Sequence, residues 1–170
     1  MTTKHKPKVI AFYHFSALSQ AANKRNGIAA QKAAVARSVI QHDLDVVSEI
    51  EMVGVSRSNV MSSPEFSEML EKVSSHEIDG VVVSSLDRLV PTDTPENISI
   101  LDRFVAAKAS IYTEGEVLDL ATNEGYITAH LRLACYVQER RNFAQRLAFM
   151  RLINRTLKKA RSDDGEDDGE

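Results

Sequence analysis

A single cysteine, Cys135, stands in 170 residues, so no internal disulfide is available and a reducing, cytoplasmic setting is the expectation. Long hydrophobic runs are also missing. No stretch is apolar enough for long enough to span a bilayer, and the polar start from Met1 to Lys8 does not read as a signal peptide, so no membrane partner is expected. Ligand spacing is lacking as well. His5, His42, His76 and His130 are scattered, and no acidic cluster closes the first apolar run, which argues against a metal site and against a magnesium-dependent phospho-receiver. No metal is expected. Proline stops at Pro95 and no glycine lies between Gly125 and Gly165, which leaves room for one very long helix over 125–161.

Charge is short of one sign only locally. Lys and Arg number 21 against 24 Asp and Glu, a formal net charge of -3. The terminal residues 162–170 carry six acids and no base, leaving eighteen acids against 21 bases elsewhere. We expect 162–170 to be a disordered acidic tail. The segment 125–161 holds nine bases (Arg132, Arg140, Arg141, Arg146, Arg151, Arg155, Lys158, Lys159 and Arg161) and one acid, Glu139. Such a helix is a solvated face, a match for an acidic partner, or a phosphate-binding surface, and the excess of bases favours DNA or RNA. Ala129, Tyr136, Phe143, Met150 and Leu157 recur every seven residues, with Leu133 and Leu147 on a second seam. Ile127, Leu131 and Ala134 widen the early face enough to pack on a domain, and the later seam suits a partner helix.

Ahead of that helix, apolar strands alternate with amphipathic helices, the pattern of an α/β fold with a parallel-rich sheet of about four to five strands flanked by helices. Lys8–Tyr13 reads as the first strand, ending in a polar loop from His14 that continues through Gly27. Ile28, Val35, Val39 and Ile40 set a helix over 28–42, and Asp45–Ile50 a second strand. Residues 54–63 lack a period and read as a loop. Ser63 and Pro64 open a helix whose apolar face is Phe66, Met69, Leu70 and Val73. The turn-forming pair Asp79-Gly80 then leads into three valines, a strand buried on both faces, which delivers Ser84, Ser85, Asp87 and Arg88 at its carboxyl end. A helix over 96–107 presents Ile98, Leu101 and Val105, and Ala109–Tyr112 is a fourth strand. Ligands of open parallel sheets sit at carboxyl strand ends, so Asp87 and Arg88 are candidates for chemistry, or else a structural ion pair.

Four of these stretches together resemble the catalytic domain of the serine recombinases, the resolvase and invertase family. Tyr13-His14-Phe15-Ser16, with Gln20 four residues on, is similar to the family's Tyr-x-Arg-Val-Ser loop. Gln31 sits where a further glutamine recurs. Leu86-Asp87-Arg88-Leu89 matches the Leu-Asp-Arg-Leu element, and Glu139-Arg140 with Arg146 matches the long helix that dimerises and crosses DNA. The resemblance implies a resolvase-like domain over 1–124, a dimerisation and DNA-contact helix over 125–161, and a catalytic set of Ser16, Gln20, Asp87 and Arg88. It implies DNA contact through Arg140, Arg141 and Arg146, a homodimer or higher oligomer, and no metal or cofactor.

The sequence also departs from that pattern. His14 replaces the arginine two residues before the serine, Ser63 the arginine before Pro64, Pro91 the second arginine of the Asp-Arg-Leu element, and Met52 an acid; Ser56-Arg57 replaces Ser-Gly. The expectation is a recombinase-fold protein with a degenerate site that acts through dimerisation, DNA contact or an active relative. An active recombinase or nickase with rearranged cations, and a non-DNA scaffold module with a coiled-coil arm, remain the alternatives.

Overall fold

The central strand is β1, Lys8–Phe15, seven of whose eight residues are buried. Its apolar run continues two residues past the expected end because His14 and Phe15 are buried too, at 1% and 8% exposure. A computed structural model of the protein describes residues 6–15, 20–90 and 96–163. Helix α1 (Gln20–His42) follows, then β2 (Asp45–Val53), α2 (Arg57–Met61), α3 (Pro64–Ser74), β3 (Gly80–Val82) and α4 (Leu86–Leu89). The described chain ends with α5 (Glu96–Ala107), β4 (Ser110–Thr113), β5 (Glu116–Asp119) and α6 (Asn123–Asp163). The sheet order is β2-β1-β3-β4-β5, with the first four strands parallel and β5 antiparallel to β4.

This is the mixed α/β fold expected, with five strands and a long final helix. The chain moves from β1 outward to β2, then crosses back to place β3 on the other side of β1. The direction of winding therefore reverses between β1 and β3, and the crevice at their carboxyl ends is where such sheets take ligands. On one face Val9, Ala11 and Tyr13 of β1, with Val82 and Tyr112, pack against Val35 of α1 and Leu44. On the opposite parity, Phe12 meets Phe66 of α3 edge to face, ring centroids 5.7 Å apart.

Several local expectations change. Helix α1 starts at Gln20, not Ile28, so Gly27 is helical rather than part of a loop. The Phe15 ring stands where a Cβ at Gly27 would go, and this close approach is what requires the glycine. Gly80 likewise belongs to β3, not to a turn, because the Ser110 carbonyl of β4 fills its Cβ position. Residues 57–61 form a short helix capped by the Ser56 hydroxyl, which accepts from Asn59 N. Strand β5 had no counterpart in the sequence reading; it is a four-residue edge strand behind a tight turn.

Faces shift as well. The buried side of α1 is Gln31, Ala34, Val35 and Ser38, while Ile40 is 81% exposed. Ile100, Leu101 and Phe104 bury the face of α5, and Ile98 is exposed. Helix α3 is as expected, with Ser63 as cap and Phe66, Met69, Leu70 and Val73 buried.

The chain divides into two compact units, 1–133 and 134–170. In the first, α6 buries Ala129 and Leu133, whereas Ile127 and Leu131, expected to pack on the domain, are exposed; so is Ala134, which opens the second unit. In the second unit Phe143, Leu147, Phe149, Met150 and Leu152 are all exposed. The acidic-tail expectation falls mainly on 164–170, outside the described residues; Ser162 and Asp163 still belong to α6. No described helix is long and apolar enough to cross a membrane.

Candidate active site

The crevice between β1 and β3 is built from both strand ends. On the β3 side, Val83 is fully buried and Ser85 begins the single turn α4, which packs against β1. Leu86 and Leu89 anchor this turn in the core, so Asp87 and Arg88, between them, are half-buried at its outer side. Ser85 Oγ donates to Asp87 Oδ1 at 2.6 Å, a charge-assisted bond that fixes the carboxylate within its own turn. Arg88 N donates to the Ser85 carbonyl at 3.0 Å, holding the arginine's backbone in the same turn.

On the β1 side the side chain of His14 is almost fully enclosed. Its Nε2 lies 3.0 Å from the Val55 carbonyl oxygen. A carbonyl only accepts, so the ring carries a proton on Nε2 and donates it there. The His14 backbone is engaged too: its N–H donates to Gln31 Oε1 at 3.3 Å, and its carbonyl accepts from Gln31 Nε2 at 3.0 Å. Across the ladder His14 pairs with Met52 of β2, so their side chains share a face. Met52 Sδ accepts from Ser63 Oγ at 3.7 Å, while the same hydroxyl accepts from Phe66 N at 3.2 Å as the cap of α3. His14, Met52 and Ser63, which replace two arginines and an acid in the motif, are thus contiguous neighbours.

On the other side of β1, Tyr13 lies beneath Lys32 of α1, whose ammonium is 5.5 Å from the ring centre and pairs with Glu51. Burial, with the Glu49 and Glu51 carboxylates adding to it, pushes the Tyr13 phenol up to about 12.

Of the residues singled out from the sequence, Asp87 and Arg88 occur together in α4, beside β1. Ser16 lies outside the described residues, and Gln20 is the first residue of α1. Arg140, Arg141 and Arg146 are exposed in the second unit. No group of three or more His, Cys, Asp or Glu side chains suited to a metal occurs among the described residues. The contact between Gln31 and the His14 backbone was not legible in the sequence, because seventeen residues separate the two. The Met52–Ser63 contact was hidden similarly, by eleven.

The domain described as Resolvase, N terminal domain, matches residues 16–159. Among solved structures, the N-terminal catalytic domain of TP901-1 integrase superposes with a TM-score of 0.55 at 18% identity, covering 80% of this chain and 98% of that one. A resolvase family site-specific recombinase from Streptococcus pneumoniae gives a TM-score of 0.55 at 19% identity, covering 92% of this chain and 99% of that one. No curated protein matches. At these identities the structures establish the fold, and the domain match over most of the chain establishes the lineage: this protein belongs to the resolvase N-terminal domain family of serine recombinases.

Proposed function

We propose that this chain is a DNA-associated protein of the serine-recombinase fold whose own active centre is impaired, and which acts through its long helix. The observation that carries the reading is the contiguous cluster of His14, Met52 and Ser63, which holds no arginine. In the family's chemistry a serine hydroxyl attacks a DNA phosphodiester, its proton is lost and the leaving sugar oxygen gains one, and stabilisation of the transferring phosphoryl group without a metal falls to protein cations. At position 14 the ring is enclosed and committed to Val55; at position 63 the hydroxyl caps a helix. Neither position presents a guanidinium to the phosphate. Losing one preorganised donor raises a barrier by about 2.7–4 kcal/mol. Two independent losses slow the step by roughly four to six orders of magnitude. Arg88 remains as the cation of the set in the body.

In this reading residues 1–124 form the recombinase-like body and 125–161 the dimerisation and DNA-contact helix, with 162–170 an acidic tail. Arg140, Arg141 and Arg146 meet the DNA backbone, and the exposed Phe143, Leu147 and Met150 supply a seam for a second copy or for an active relative. A cytoplasmic location completes it.

Arg88 on a turn packed against β1 favours a second reading, an active recombinase or nickase that uses Ser16 with Asp87, Gln20 and cations drawn from elsewhere. Incubation with supercoiled DNA followed by denaturing electrophoresis separates the two. The first reading expects DNA retardation without a covalent adduct; a protein–DNA adduct abolished by Ser16→Ala establishes the second.

A further inference from the structure

Strand β3 pairs with β1 only over Val9–Ala11, yet β1 runs on to Phe15. Beyond Ala11 the β3 side of β1 has no strand beside it among the described residues. Phe15 turns its carbonyl toward β2, where it accepts from Gly54 N at 2.8 Å. Successive residues of a strand alternate sides, so His14 presents its N–H and C=O away from β2. Both groups are buried, and a buried peptide group without a partner is strongly disfavoured. The Gln31 carboxamide supplies one acceptor and one donor to this single peptide edge, as a neighbouring strand would. It comes from the buried face of α1, where the side chain is 6% exposed.

We infer that Gln31 is a positioning residue: its carboxamide substitutes for the missing strand beside His14 and fixes the end of β1 from which the chain continues to Ser16. The inference deepens the reading of the β1–β3 crevice and rests on it for its functional meaning. The His14 ring bond to Val55 ties the same residue to the segment after β2, so the strand end is held from two sides. A carboxamide is suited to this task because it is neutral at every pH and offers donor and acceptor together.

Amide hydrogen exchange of the full chain, followed by NMR and corrected for intrinsic rates, tests it. In Gln31→Met, which keeps the volume and removes both bonds, exchange at the His14 amide rises by about 10- to 100-fold. Ile10, paired with β3, and Tyr13, paired with β2, keep their protection. In Gln31→Glu the protonated carboxyl reproduces both bonds, whereas the carboxylate faces the His14 carbonyl with a second acceptor. Protection at His14 is therefore near the wild-type value at about pH 4 and falls as the carboxyl ionises. Unchanged His14 exchange in Gln31→Met overturns the inference, as does a rise spread evenly over Ile10 and Tyr13, or a Gln31→Glu profile without pH dependence. Because the measurement uses no DNA, its result stands apart from that of the adduct experiment, which tests the serine site.

Discussion

Placing an arginine at position 14, His14→Arg, is expected to destabilise this protein. Position 14 is 1% exposed, and its ladder neighbour Met52 is itself buried at 7%. A guanidinium there has lost its water without gaining a carboxylate, and it also gives up the bond from the ring to Val55. Leaving one buried charge uncompensated costs about 3–5 kcal/mol, a large part of the stability of an ordinary domain. For a chain of this size that corresponds to a melting temperature lower by about 6–20 °C. Adding Met52→Asp places an acid on the same face, one strand away, and a charge-assisted contact returns about 1.5–3 kcal/mol. The assay is urea unfolding of the wild type, both single variants and the double variant, read as a double-mutant cycle. A His14→Arg variant within about 0.5 kcal/mol of wild type, or a coupling energy near zero, refutes the reasoning: the new side chain would then reach solvent, and positions 14 and 52 would not act as a unit.

Other perturbations read different parts of the frame. Gly80→Ala sets a methyl group against the Ser110 carbonyl, a backbone atom that moves only with strand β4, so a loss of about 1–3 kcal/mol or more in urea unfolding is expected. Ser63→Ala removes the cap of α3 and the hydroxyl bonded to Met52, and costs about 1 kcal/mol. The Tyr13 phenol is raised from its ordinary 10 to about 12, so its folded form keeps a proton that the unfolded chain has lost. Its contribution is whole below pH 10 and falls away as pH climbs toward 12, by at most about 2 kcal/mol. Absorbance titration of wild type against Tyr13→Phe measures the shift, and a phenol titrating at its ordinary value contradicts it. Neutralising Arg140, Arg141 and Arg146 together is expected to weaken DNA binding across sequences and to flatten its salt dependence by up to three phosphate contacts; an unchanged slope removes those residues from the interface.

The candidate site was half legible. Asp87 and Arg88 follow a run of valines, and a buried parallel strand must end near polar groups, so their place at a strand end came from local pattern alone. His14 was visible as a departure, and its chemistry was not. A histidine two residues before Ser16 carries no sign in the sequence that its ring bonds the Val55 carbonyl. Gln31 could be noted as a glutamine in a helix, but a carboxamide alongside a strand end depends on where β3 stops.

What the sequence determined by itself is what local physics controls. Serine and proline at 63 and 64 start a helix because one caps it and the other is preset for its first turn. The long helix follows from the absence of proline and interior glycine, and the alternation of strand and helix limits the architecture to a parallel-rich sheet. Tertiary structure decided which faces are covered. Periodicity places Ile40, Ile98, Ile127 and Leu131 on stripes, but burial depends on what lies opposite, and all four are exposed. It also decided that His14, Met52 and Ser63, far apart in the chain, form one contiguous cluster, and that Gly27 and Gly80 answer to the Phe15 ring and the Ser110 carbonyl. Contacts between distant segments exist only once the sheet is assembled, so no local pattern carries them.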